Sequence, residues 1–193
     1  TGTATIGRAA LAGVRGDLSL PEVRNVSEWK LFSKIGEAGV SWEEPGYGWT
    51  PKFCREVDMT KERPKFLGRA TPGALPLVEG RMVQAHRLGV KGHVSGTGRR
   101  ALWEAYAIGG SRLAPQFWIR RSDIPRANQD RVDVLRVGFC DIAGQTNERS
   151  LMASLIPAGV VCGNKVPTIL FPEDPSEERL LVWVSSSSSA GGT

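Results

Sequence analysis

Apolar residues along this chain fall mostly into short runs separated by glycine and proline, and few repeat at helical spacing. In residues 22–32, Val23, Val26 and Leu31 are spaced for one face of a short amphipathic helix. Residues 39–48 hold three glycines, a proline and two aromatics and read as a loop. Over residues 49–59, Phe53 and Val57 fall on one side and Lys52, Arg55 and Glu56 among the polar positions, which predicts a strand. Pro64 and the glycines at 68 and 73 break the chain again. An apolar run at 75–78 leads into Glu79-Gly80-Arg81-Met82-Val83, and residues 86–100 are basic and glycine-rich. So much glycine predicts a mobile loop there rather than a packed element. Strands are expected at 116–121, 132–139 and 150–156, and residues 160–171 offer two apolar runs split by a Gly163-Asn164 turn. Short strands, glycine turns and few helices predict an α+β, strand-rich fold: an irregular mixed sheet with long basic loops. The expected organisation is an irregular arm or linker over 1–48, a domain over 49–184 and a Ser/Gly tail over 185–193.

Composition narrows the class. The 40% hydrophobic content, with six Trp and six Phe, is enough for a real core. No apolar run reaches the roughly 18 residues of a membrane-spanning helix. The first 15 residues lack the basic start and apolar block of a signal peptide, and the absence of a starting Met suggests a piece of a longer polypeptide. Cys54, Cys140 and Cys162 are odd in number and far apart, which argues against a disulfide framework or a zinc cluster and fits a reducing cytoplasm. The net charge of +5 is uneven: residues 79–149 carry 12 basic and 7 acidic side chains, and 11 of the 12 are Arg. Arginine's planar fork suits phosphate and the guanine edge. A solubilising surface would give the same count.

Catalytic motifs are missing. There is no Asn/Asp-Pro-Pro-aromatic tetrad, Walker loop, Gly-x-Ser-x-Gly or His-Glu-x-x-His. Ser95-Gly96-Thr97-Gly98 is the nearest glycine turn to a cofactor loop, but only Val94 precedes it as an apolar lead-in. His86 and His93 lie seven apart with no neighbouring Cys, so a surface or DNA-facing role is favoured over metal ligation. A small metal-dependent nuclease would draw on Asp123, Asp130, Asp133 and Asp141, yet none of these sits two before a lysine on a strand end.

The segments Arg55-Glu56-Val57-Asp58-Met59-Thr60, Leu75-Pro76-Leu77-Val78-Glu79-Gly80-Arg81-Met82, Pro115-Gln116-Phe117-Trp118-Ile119, Phe139-Cys140-Asp141-Ile142 and Thr146-Asn147-Glu148-Arg149-Ser150 follow in one order. In that order and spacing, over about residues 49–170, the chain resembles the C-terminal target-recognition region of adenine-specific DNA methyltransferases of type IIG-like restriction–modification and phage-defence systems. Val78 stands where the family commonly has Tyr, Arg81 where it has Lys, and Cys140 where it has Arg.

The resemblance implies a partial target-recognition domain over 49–184 that grips duplex DNA. An upstream methyltransferase domain of the same polypeptide would bind S-adenosylmethionine and methylate a flipped-out adenine. No cofactor is expected in this chain itself. Arg81, Lys91, Arg99 and Arg100 are then expected as phosphate contacts or groove probes, joined by His86, Arg87 and His93 of the same stretch. Arg136 and Arg149 would read guanine, and Gln145 or Asn147 adenine. Plainer roles stand beside these: ion pairs of Glu79 with Arg81 or Asp141 with Arg149, Trp103 and Trp118 in the core, and a backbone requirement at Gly80. A module docking an acidic protein partner is the alternative of a different class.

Overall fold

The computed structural model describes residues 5–39, 50–142, 151–174 and 176–189. The chain divides into two compact units, Thr1–Thr50 and Pro51–Thr193. The first holds α1 (Arg8–Ala12) and α2 (Val26–Ala38). Asn25 caps α2 by accepting from the Glu28 N–H at 2.9 Å, and the Glu28 carboxylate accepts from the Arg24 N–H at 2.7 Å. This reciprocal arrangement satisfies N–H groups that the first helical turn leaves open. The helix predicted from the apolar spacing therefore exists, shifted toward the C-terminus. The predicted loop at 39–48 lies, apart from Gly39, outside the described residues.

The second unit is α+β, built from several small sheets rather than one. An antiparallel sheet has the order β1 (Lys52–Cys54), β11 (Thr168–Leu170), β8 (Arg136–Phe139), β9 (Ala153–Ile156). A second sheet has the order β10 (Val161–Cys162), β2 (Ala74–Val78), β7 (Trp118–Arg120); β10 runs parallel to β2 and β7 antiparallel. Two ribbons complete it, β3 (Val83–Gln84) with β4 (Arg87–Leu88) and β5 (Lys91–Ser95) with β6 (Leu102–Ala105). A helix, α3 (Glu178–Ser189), follows.

Why β2 and β10 read as continuous apolar runs follows from their place. Leu77 pairs with Val161 and both enter one core cluster, with Phe117, Ile119 and Val132; Val78 pairs with Cys162 and both enter a second, with Met82, Ile156 and Val166. Successive side chains point to opposite faces, so a strand buried on both faces has no polar alternation to show. A third cluster joins Val137 and Ile169 to Leu180 and Val184 of α3. Gly138 lies where β8 passes the second cluster: a Cβ there would meet Ile156 Cγ1 at 2.7 Å and Val166 Cγ1 at 2.9 Å.

Three local expectations are corrected. The stretch 86–100 is not a loop but contains β4, β5 and a 3-10 turn at Gly98–Arg100. The strand predicted at 132–139 is only Arg136–Phe139; residues 132 and 133 close a 3-10 segment, Arg126–Asp133. The serine tail begins inside α3, whose Leu180 and Val184, four apart, are buried against the first sheet. No helix among the described residues is long and apolar enough to cross a membrane.

Candidate nucleic-acid interface

Backbone bonds gather three of the sequence motifs around one groove. The Gly163 N–H donates to Val78 O at 3.0 Å, which sets the Gly163-Asn164-Lys165 turn beside Glu79-Gly80-Arg81. The Asp141 N–H donates to Lys165 O at 3.1 Å, and the Cys140 thiol donates to Gly80 O at 3.0 Å. Gly80 keeps this approach close without an unusual φ: a Cβ would sit 3.3 Å from Lys165 O, a tight contact. The groove so formed encloses about 450 Å³ and is lined by Met59, Glu79, Gly80, Arg81, Val83, Gln84, Lys91, Cys140, Ile142, Met152 and Lys165. A neighbouring recess of about 360 Å³ shares Met59, Glu79 and Arg81 and adds Arg63, Gly98, Gln116 and Phe117.

The groove's walls are mostly neutral, with Arg81, Lys91 and Lys165 as the cations among them. Arg81, Lys91 and Lys165 are exposed, and Arg63 stacks 3.9 Å over the Phe117 ring. Arg81 lies 4.8 Å over the ring of Trp103, and its Nε is 3.9 Å from Glu79 Oε2. Stacking limits the orientations of both guanidinium groups while leaving their N–H edges available. Glu79 is the groove's recessed anion: burial pushes its carboxyl above the usual value, and the charges of Arg81, His93 and Arg63 pull against that shift. Asp141, next to the groove residues Cys140 and Ile142, pairs with Arg55 at 3.1 Å and Lys165 at 3.8 Å.

The sequence-predicted residues separate into groups. Arg81 and Lys91 line the groove. His93 packs edge-on to Trp103 at 5.5 Å and its Nε2 bonds Gly96 O at 2.8 Å, so it supports the groove and the adjoining ribbon. Arg100 is exposed in the Gly98–Arg100 turn, which also contains the Arg99 backbone. His86 is exposed in the β3–β4 turn at φ 60°, with its N–H donating to Ala153 O. Arg87 is turned to local work: its Nη2 donates to the carbonyls of Tyr106 and Ala107 and to the Ser111 hydroxyl. Gln145, Asn147 and Arg149 lie outside the described residues.

Arg136 is a correction. Its side chain is 0% exposed, so no base edge can reach it. Its Nε and Nη2 donate to the Glu56 carboxylate, Nη2 also to Val160 O at 2.8 Å, and Nη1 to Val134 O and Pro157 O. Glu56 in turn accepts from the Cys162 N–H at 2.8 Å and the Thr168 hydroxyl at 2.9 Å. This closed network ties β1's end, β8, β10 and β11 together. A buried pair survives only when every lone pair and proton is used in this way.

Sequence reasoning missed Lys165 and Arg63. Lys165 lies in the acidic last third, where block-wise charge counting hides it; its position directly after the Gly163-Asn164 turn was the available signal. Of the nuclease aspartates, Asp133 is paired with Arg121 and Asp141 with Arg55 and Lys165. Among the described residues no three His, Cys, Asp or Glu side chains gather as metal ligands. The Ser95-Gly96-Thr97-Gly98 turn is the tip of a two-stranded ribbon rather than a strand-to-helix crossing, and so lacks the helix N-terminus of a phosphate cradle. No protein family, characterised protein or solved structure matches the chain.

Proposed function

We propose that this chain is the duplex-DNA-recognising part of an adenine-specific DNA methyltransferase of a restriction–modification or phage-defence system, working in a prokaryotic cytoplasm. The methyltransferase domain and its S-adenosylmethionine belong to another part of the same polypeptide, and no residue here is assigned to the cofactor. The observation that carries the reading is that residues of three segments bearing the resemblance, Met59, Glu79-Gly80-Arg81, and Cys140 with Ile142, meet in one groove that also holds Lys91 and Lys165. A structural role alone would account for the buried Glu56 and Arg136. The reading adds a use for Arg63, Arg81, Lys91 and Lys165, which stay exposed around one groove and its neighbouring recess.

A salt series with a labelled duplex tests it. If all four cations meet phosphates, log K falls with log salt at a slope of about −3.6, because each neutralised phosphate releases close to one counterion. Arg81→Ala/Lys165→Ala is expected to flatten that slope by about one to two units and to weaken binding to all sequences alike. A chain that ignores DNA even at low salt overturns the reading in favour of an acidic protein partner.

A further inference from the structure

The β5–β6 ribbon carries features that groove chemistry alone does not explain. Val94 is 54% exposed and Leu102 59%, apolar side chains left at the outer end of a strand pair. The turn between them is Gly96-Thr97-Gly98-Arg99-Arg100, polar and doubly basic. Its shape is fixed from below. The buried Gln116 amide donates to Gly96 O at 3.0 Å, and His93 Nε2 bonds the same carbonyl. Gly96 holds φ 73°, and a Cβ there would be 2.5 Å from Arg100 O, so the bend needs glycine. A bulge between His93 and Ser95 adds local twist near the end. At its root the ribbon is continuous with the proposed interface: Lys91 lines the groove, Gly98 lines the recess, and Trp103 lies under Arg81.

We propose that this ribbon is the element that reads base sequence, entering the DNA major groove with Val94, Leu102 and the Gly96–Arg100 turn leading. The inference rests on the duplex-DNA reading above and adds which groove is entered and by what. A major groove about 12 Å wide admits a two-stranded ribbon as it stands, whereas entry into the minor groove, about 6 Å wide, requires the duplex to be widened and bent. The exposed apolar residues then have a chemical counterpart in thymine C5-methyl groups, which project only into the major groove, and arginine at the tip matches the N7 and O6 acceptors of guanine. An anchored, pre-bent tip suits readout, since little ordering remains to be done on binding. Phosphate grip at the root and base contact at the tip divide affinity from specificity.

The experiment uses the full chain with a randomised duplex library. Sequences selected by wild type are re-synthesised with uracil for thymine, which removes the methyl, or 7-deazaguanine for guanine, which removes the N7 acceptor. The expected result is a preferred sequence whose advantage over random duplex drops by roughly tenfold or more on one of these substitutions. Val94→Ala/Leu102→Ala should erase a similar factor and leave the salt slope intact, with the circular dichroism spectrum confirming the fold. Arg81→Ala/Lys165→Ala should do the reverse. Salt-dependent binding with no sequence preference, or a preference blind to both base analogues and to the ribbon variants, overturns the ribbon assignment while the DNA-binding reading stands. Absence of salt-dependent binding overturns both and marks the ribbon as a protein-docking element.

Discussion

Glu56→Ala is the most informative perturbation of the fold, because the wild-type carboxylate is the single anion inside a closed network. Removing it leaves the Arg136 guanidinium at 0% exposure with only the carbonyls of Val134, Pro157 and Val160. It also strips the acceptor from the Cys162 N–H and one acceptor from the Thr168 hydroxyl. Breaking a buried pair by deleting one partner typically costs about 3–5 kcal/mol. With a urea dependence of about 2 kcal/mol per molar, the unfolding midpoint should fall by about 1.5–2.5 M. Equilibrium urea unfolding followed by circular dichroism reads this directly. The double variant Glu56→Leu/Arg136→Met should recover most of the loss, since replacing both charges with apolar groups of similar volume is often neutral or better.

Two results would refute this reasoning. A midpoint shift in Glu56→Ala below about 0.3 M would mean that the network is solvated or dispensable, because an uncompensated buried charge cannot be that cheap. A folded double variant that loses discrimination at one base pair would mean that Arg136 leaves its pocket to read DNA, restoring the role its sequence position implies.

Other predictions test the remaining assignments. Glu79→Gln should make stability less sensitive to pH: the folded carboxyl is held above its ordinary 4.5, so below that pH there is no penalty, and the penalty grows as pH rises through the raised value. The melting-temperature gap in favour of Glu79→Gln should therefore open from about pH 4.5 upward, and a gap independent of pH would refute the assignment. Burial raises all three thiols, Cys162 the most, so an aromatic disulfide reagent at neutral pH should label the native chain slowly, with Cys162 last. Rapid labelling of Cys162 without denaturant would show local opening of the core. Gly138→Ala should destabilise by about 1–3 kcal/mol, read as a lower melting temperature, since the new methyl collides with the buried Ile156 and Val166.

What the sequence made legible were elements whose partners impose a simple pattern. The apolar runs at 75–78 and 160–162 became β2 and β10 because burial on both faces requires unbroken apolar residues. The β5–β6 ribbon was illegible because its glycines meet close neighbours rather than flexibility. Gly92 is excluded from bearing a side chain by the Tyr106 hydroxyl, 1.8 Å from an added Cβ, and Gly89 and Gly96 by positive φ. Helix α3 hid behind its serines for a different reason. Ser185 and Ser186 donate to Val182 O at 2.9 and 2.8 Å, a local use that lowers helix propensity, and Leu180 and Val184 supply the tertiary burial that overrides it.

Charge was the least faithful signal, because the fold itself uses many of the arginines. The arginine-rich block from 79 to 149 stands out in the sequence, yet several of its arginines are engaged by the fold. Arg136 is bonded to Glu56 and three carbonyls, Arg131 to the carbonyls of Lys52 and Thr168, Arg87 to Tyr106 and Ala107, and Arg121 to Asp133. The cations exposed at the groove and recess are instead Arg81 and Lys91 from the block, joined by Arg63 and Lys165 from either side of it. A guanidinium can close a network of carbonyls as well as it can hold a phosphate, because both uses need the same planar set of donors. Counting arginines therefore measures demand for that donor geometry rather than the charge offered to a polyanion. Chain pairing, not composition, brings residues 81, 91 and 165 to one groove and residue 63 to the recess beside it, and so decides which charges are offered there.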